Sequence, residues 1–140
     1  MKRIYLDASS IIYLVEGLAP FHQLTTERVL AHRAARESEI VTSRLSRLEC
    51  RVKPLRADNG ELLNLYDAFF AKRDIRLVDV RADIIERATA LRARHGFATP
   101  DALYLATAIA ENADTVLTGD ANWQRCTDIQ VEVIKPTTPT

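Results

Sequence analysis

The chain has 140 residues, 47% of them hydrophobic, and its 19 Lys+Arg are cancelled by 19 Asp+Glu. That length is expected for one domain with a core of its own, and the composition excludes a disordered polymer. Neutrality argues against a strongly basic nucleic-acid binder. The basic side is nevertheless Arg-rich, 15 Arg to 4 Lys, and guanidinium groups suit phosphate contacts. No apolar run approaches the roughly 20 residues of a membrane span. MKRIYLDASS has no signal-peptide pattern, so a cytoplasmic location is expected. Cys50 and Cys126 lack metal-ligand spacing, and no disulfide is expected there.

In chain order, Arg3–Leu6 reads as a strand, followed by a short helical segment, Ser9–Glu16, and a longer one, Phe21–Arg36. A second strand, Ile40–Thr42, precedes helices Arg44–Leu55 and Glu61–Lys72. A third, Arg76–Val80, precedes helices Ala82–Arg94 and Pro100–Asn112. Strands Thr115–Thr118 and Val131–Ile134 close the pattern. Short β-branched strands alternating with helices predict an α/β fold with a parallel sheet. The punctuation agrees. Asn59-Gly60 precedes a helix, Gly96 suits a left-handed C-terminal position, and Thr99-Pro100-Asp101 reads as N-cap, first helical residue and first-turn acid. Residues 1–135 are expected to form the single domain and 136–140 a flexible tail.

Four acids end or interrupt apolar segments: Asp7 in IYLDASS, Glu49 in SRLSRLEC, Asp101 in ATPDALYLATAIA and Asp120 in TVLTGDANW. Each also has a local structural reading. Asp7 falls at the carboxyl end of the first strand, where open parallel sheets hold ligands, yet it could simply cap the next helix. Glu49 lies at the margin of a stripe, Leu45, Leu48, Val52 and Leu55, read as the buried face of its helix. Arg44, Arg47 and Arg51 form a second stripe to one side. Asp101 opens the most hydrophobic helix, where it also suits the helix dipole. Asp120 follows a strand as Thr-Gly-Asp, a common turn.

Together they point further. If the first and fourth strands are neighbours where strand order reverses, Asp7 and Asp120 converge on one crevice. Like charges gathered in a pocket need a cation. Clustered carboxylates select Mg²⁺ or Mn²⁺ over Zn²⁺, and His22, His32 and His95 make no metal-ligand pair.

Four motifs in this order resemble the PIN-domain ribonucleases, and within them the VapC-type toxins of toxin–antitoxin pairs. They are hydrophobic-hydrophobic-Asp-x-Ser at the N-terminus, Leu-x-x-x-Glu on a helix, Pro-Asp-Ala-Leu-x-x-Ala on a later helix and Thr-x-Asp after a strand. The resemblance covers about residues 1 to 135. It implies a three-layer PIN-like sandwich with a five-stranded parallel sheet of order 3-2-1-4-5. Asp7, Glu49, Asp101 and Asp120 match the family's acids, Ser9 its small polar position and Thr118 the hydroxyl before the last acid. Gly119 stands where many members have Asn, and Trp123 where an aromatic, often Phe, is usual. The implied activity is Mg²⁺-dependent endoribonuclease action on tRNA, rRNA or mRNA. Asp7 and Asp101 would bind the metal, with Glu49 and Asp120 completing the shell or holding its water. Ser9 and Thr118 would support the acids, and Arg44, Arg47 and Arg51 would track the RNA. A homodimer and a VapB-like antitoxin, with an Arg or Lys approaching the acids, are also implied.

Other readings stay open. An inactive module could use the acidic cleft to hold basic side chains. An aspartyl-phosphate phosphatase places an Asp after the first strand, although Asp7-Ala8-Ser9 lacks the usual Asp-x-Asp. A receiver-type phosphoacceptor could use Asp79 and Lys135, but lacks the early acidic pair. The arginines could form a solvated face or a dimer contact. Tyr66, Phe69 and Phe70 are either core or part of an oligomer surface.

Overall fold

The computed structural model describes residues 1–136; apart from Pro136, the expected tail lies outside the described residues. The chain alternates as expected of α/β: β1 (Lys2–Leu6), α1 (Ala8–Glu16), α2 (Phe21–Arg33), β2 (Ser38–Ser43), α3 (Arg44–Arg56) and α4 (Gly60–Phe70). It continues through β3 (Ile75–Val78), α5 (Ala82–His95), α6 (Thr99–Ala110), β4 (Thr115–Thr118), a 3₁₀ turn (Ala121–Arg125) and β5 (Val131–Val133). The five strands form one sheet in the order β3-β2-β1-β4-β5, with every pairing parallel. The strand order is the one that the resemblance implies.

The buried strands explain the order. Ile4, Tyr5 and Leu6 of β1 are fully inaccessible, as is Val116 of β4, so the central strands are covered on both faces. That is why they read as continuous apolar runs rather than alternating ones. The register sets Leu6 beside Leu117, so the next residues on each strand, Asp7 and Thr118, emerge together. Strand order reverses between β1 and β4, the crevice position of open parallel sheets.

Local chemistry sets most element ends. Asn59 caps α4 by accepting from the Leu62 N–H, and Gly96 ends α5 at φ 72°. α2 stops at Arg33, short of the predicted Arg36, and Glu37 turns the chain into β2 with φ 56°. Thr99 is not the cap of α6. Ala98 holds that position without a side-chain hydrogen bond, while Thr99 and Pro100 lie inside the first turn, where a missing N–H costs nothing.

The larger correction concerns α3. Most of the predicted buried stripe faces outward: Leu48 is 58% exposed, Leu55 57% and Val52 38%, and only Leu45 is half-buried against the core. The inward residues are Ser46, Cys50 and Pro54. Ser46 receives the Thr42 hydroxyl at 2.8 Å, and Cys50 Sγ lies 3.9 Å from the Ala8 carbonyl oxygen. Small side chains and a local hydrogen bond bring the helix close to the sheet edge, and Leu48 and Leu55 turn away. The aromatic stretch of α4 resolves the other way: Tyr66, Phe69 and Phe70 are all buried in the core.

Candidate active site

The carboxyl ends of β1 and β4 open into a cavity of about 410 Å³ whose lining includes Asp7, Glu49, Asp101 and Asp120. Asp7 is its floor. It is 4% exposed and caps α1, accepting the Ser10 N–H on Oδ1 at 2.9 Å. The cap and the site are therefore one residue: the geometry that satisfies the helix end also aims the carboxylate at the cavity. The Ser9 hydroxyl lies 2.8 and 2.9 Å from the two oxygens, and Thr118 donates to Oδ2 at 2.6 Å. The neighbouring backbone continues the network. Gly119 N–H donates to Ser9 Oγ, and Asp120 N–H to Thr118 Oγ1, each at 3.0 Å. Ser10 locks the same corner by donating to the Leu117 carbonyl at 2.6 Å. Burial pushes the Asp7 carboxyl above the ordinary value of 3.8, against the pull of these donors.

The other three acids rim the cavity. Asp120 is exposed and caps the 3₁₀ turn, accepting from the Asn122 N–H at 2.9 Å. Asp101 is partly buried in the first turn of α6. Its pKa is also raised, first by burial and then by the charge of Asp120, while the Trp123 indole opposes the shift. Glu49 is exposed on α3. The aromatic residues Tyr13, Tyr104 and Trp123 complete the wall, and among the described residues no Lys, Arg or His lines it. Burial first, then the Glu49 charge, hold the Tyr104 phenol well above its ordinary range.

The sequence matches the PIN-domain family over residues 4–128. The chain belongs to the PIN-domain family. Solved structures share the architecture at low identity. VapBC2 from Rickettsia felis, bound to a promoter DNA fragment, has a TM-score of 0.77 at 17% identity, covering 95% of this chain and 99% of that one. VapBC-1 from nontypeable Haemophilus influenzae has 0.73 at 18%, covering 94% and 97%. VapC20 from Mycobacterium tuberculosis, a Sarcin-Ricin loop cleaving toxin, has 0.65 at 20%, covering 81% and 86%. No curated protein matches the sequence.

In this PIN domain the four acids, Ser9 and Thr118 are brought together, whereas Arg44, Arg47 and Arg51 are not part of the cavity. They flank a separate groove with Leu45, Leu48, Val52, Leu55 and Val80. Each is already paired, Arg44 with Asp79, and Arg47 and Arg51 with Asp67 at 3.0 and 2.9 Å. Asp79, the receiver-type candidate, is exposed in that pair and does not line the cavity.

Sequence reasoning did not single out Tyr13, Tyr104 or Gly119 as part of the site. Tyr104 lies one turn beyond Asp101, a spacing that puts both on one helix face. Gly119 had no local signal, because its backbone is not in the left-handed region. A Cβ there would collide with the Tyr13 hydroxyl and stand 3.1 Å from two of its ring carbons. Tyr13 is held in place by stacking on Phe21, with centroids 4.7 Å apart.

Proposed function

We propose that this chain is a metal-dependent endoribonuclease, the VapC-like toxin of a toxin–antitoxin pair. It would act in the cytoplasm on phosphodiesters of tRNA, rRNA or mRNA and so inhibit translation, with residues 1–135 as its single domain. The observation that carries the reading is an acidic cavity with no cationic side chain in its described lining. A phosphodiester cannot approach four carboxylates unaided. The family, and the VapBC structures that share the fold, support the same reading.

The donor set is all oxygen, which fits Mg²⁺ or Mn²⁺. Burial disfavours the charged forms of Asp7 and Asp101, and a cation would relieve that cost. Among the described residues, no three His, Cys, Asp or Glu side chains stand close enough to chelate one ion. Asp7 and Asp101 would hold the ion, with Glu49 and Asp120 completing the shell or holding its water. Such an ion supplies neutralising charge and a more acidic water. Ser9 and Thr118 keep the Asp7 carboxylate oriented and favour its ionised form.

A VapB-like antitoxin would inhibit by placing an Arg or Lys among the acids. Arg44, Arg47 and Arg51 could follow an RNA backbone only by leaving their aspartates. Homodimerisation remains part of the proposal.

The test is RNA cleavage by purified protein. Asp7→Asn and Asp101→Asn should abolish cleavage with an unchanged circular dichroism spectrum, and EDTA should abolish it until Mg²⁺ is restored. Full cleavage by either variant, or in excess EDTA, refutes the proposal.

A further inference from the structure

Two carboxylates and two hydrogen-bond donors are left over in the cavity. Asp7 and Asp120 are each held by backbone or hydroxyl donors. No hydrogen bond of ordinary geometry holds Glu49 or Asp101 among the described residues, although the Trp123 indole is close enough to Asp101 to lower its pKa and the Glu49 carboxylate close enough to Tyr104 to raise the phenol's. Facing them are the Tyr104 hydroxyl and the Trp123 indole N–H, both buried and both without a partner. The residues are 3% and 2% exposed. Their rings pack together, with centroids 5.8 Å apart, and both line the same cavity as the two acids.

A buried donor without an acceptor is costly and is retained where it has a use. We infer that Tyr104 and Trp123 are positioning residues of the acidic cavity, the Tyr104 hydroxyl fixing the Glu49 carboxylate and the Trp123 indole N–H fixing Asp101 when a divalent cation is bound. The inference rests on the metal-dependent reading above and adds to it the residues that orient its ligands. The chemistry of the donors suits the task. A Lys or Arg at these positions would neutralise the acids and compete with the cation. Phenol and indole orient a carboxylate through hydrogen bonds and leave its charge in place. Pairing is also economical in sequence. Tyr104 is anchored one turn after Asp101, and Trp123 is three residues after Asp120, so the elements that carry acids also carry the donors. The indole is specific here: a Phe at position 123 would keep the packing and lose the N–H.

The chain has one tryptophan, so its indole N–H gives a single nitrogen–proton cross-peak that reports Trp123 without any RNA or turnover. On adding Mg²⁺ to wild-type protein the peak should move downfield, and in Asp101→Asn, at Mg²⁺ concentrations that calorimetry shows to saturate the variant, the movement should be lost. For Tyr104 the readout is Mg²⁺ affinity by calorimetry. Tyr104→Phe should weaken binding about tenfold, the usual size of a lost outer partner. Added to Glu49→Gln it should weaken binding no further, because the hydroxyl acts through that carboxylate. The inference is overturned if the indole peak responds equally in Asp101→Asn, or if Tyr104→Phe leaves Mg²⁺ affinity unchanged or adds fully to Glu49→Gln. These outcomes are separable from the nuclease reading. If wild-type protein binds Mg²⁺ with these signatures but cleaves no RNA, the nuclease reading fails and the positioning roles stand. If it cleaves RNA with none of the signatures, the reverse holds.

Discussion

Replacing Thr118 with Val tests how the buried carboxylate is held. Val keeps the volume of a fully buried strand residue and removes a hydroxyl with two partners. One is the 2.6 Å bond to Asp7 Oδ2, the other the 3.0 Å bond from Asp120 N–H. A bond to a charged group contributes about 1.5–3 kcal/mol and a neutral one about 0.5–1.5. Ser9 still reaches both Asp7 oxygens, and water can replace the acceptor at the rim, so a net loss of about 2 kcal/mol is expected at neutral pH. In urea that moves the midpoint by about 1 M. The loss should depend on pH. Burial raises the folded pKa of Asp7 above its ordinary 3.8, so native protein binds the proton more tightly than unfolded chain. Stability contributed by Asp7 therefore increases as pH falls through the folded value. Removing the Thr118 donor raises that value further, so wild type and variant should converge as pH falls toward 3.8. Thr118→Ser keeps the hydroxyl, and its loss should not vary with pH. A Val variant within about 0.5 kcal/mol of wild type at neutral pH, or a loss equal at pH 7 and pH 4, refutes the reasoning.

Gly119→Ala should cost about 1–3 kcal/mol, as overpacking does, because its Cβ displaces Tyr13 from the Phe21 stack. In a Tyr13→Ala background the same change should be nearly neutral, and denaturation of the four proteins measures the coupling. Additive losses would show that Tyr13 is not the reason for the glycine. On α3, Ser46→Leu should lose about 1–3 kcal/mol by forcing the helix off the sheet, whereas Leu48→Ala and Leu55→Ala should stay within about 0.5 kcal/mol. Thermal melts that rank them the other way would restore the predicted inward stripe.

Much of the fold was legible because its signals are local. The apolar runs of β1 and β4, the alternation with helical segments and Gly96 at its turn depend on few neighbours. Asp7, Asp101 and Asp120 were legible for a related reason: each sits at an element end, where a carboxylate satisfies backbone N–H groups or a helix dipole. Local reading could not choose between cap and site, and at Asp7 the two coincide.

What only the tertiary structure decided is which surfaces meet. Periodicity showed that α3 has an apolar stripe but not that Ser46 and Cys50, being small, would give the closer approach and leave Leu48 and Leu55 outside. Nothing in Thr-Gly-Asp announces that Gly119 makes room for a phenol on α1, more than a hundred residues earlier in the chain. Nor does the sequence show that Tyr104 and Trp123 bury their donors beside two acids. Such contacts depend on distances between elements, which packing of the whole core sets. The sequence by itself determined four acids at the ends and margins of a parallel α/β frame. The tertiary structure determined that they share one cavity, that Asp7 is locked at its floor, and that the arginines once grouped with them belong to another face.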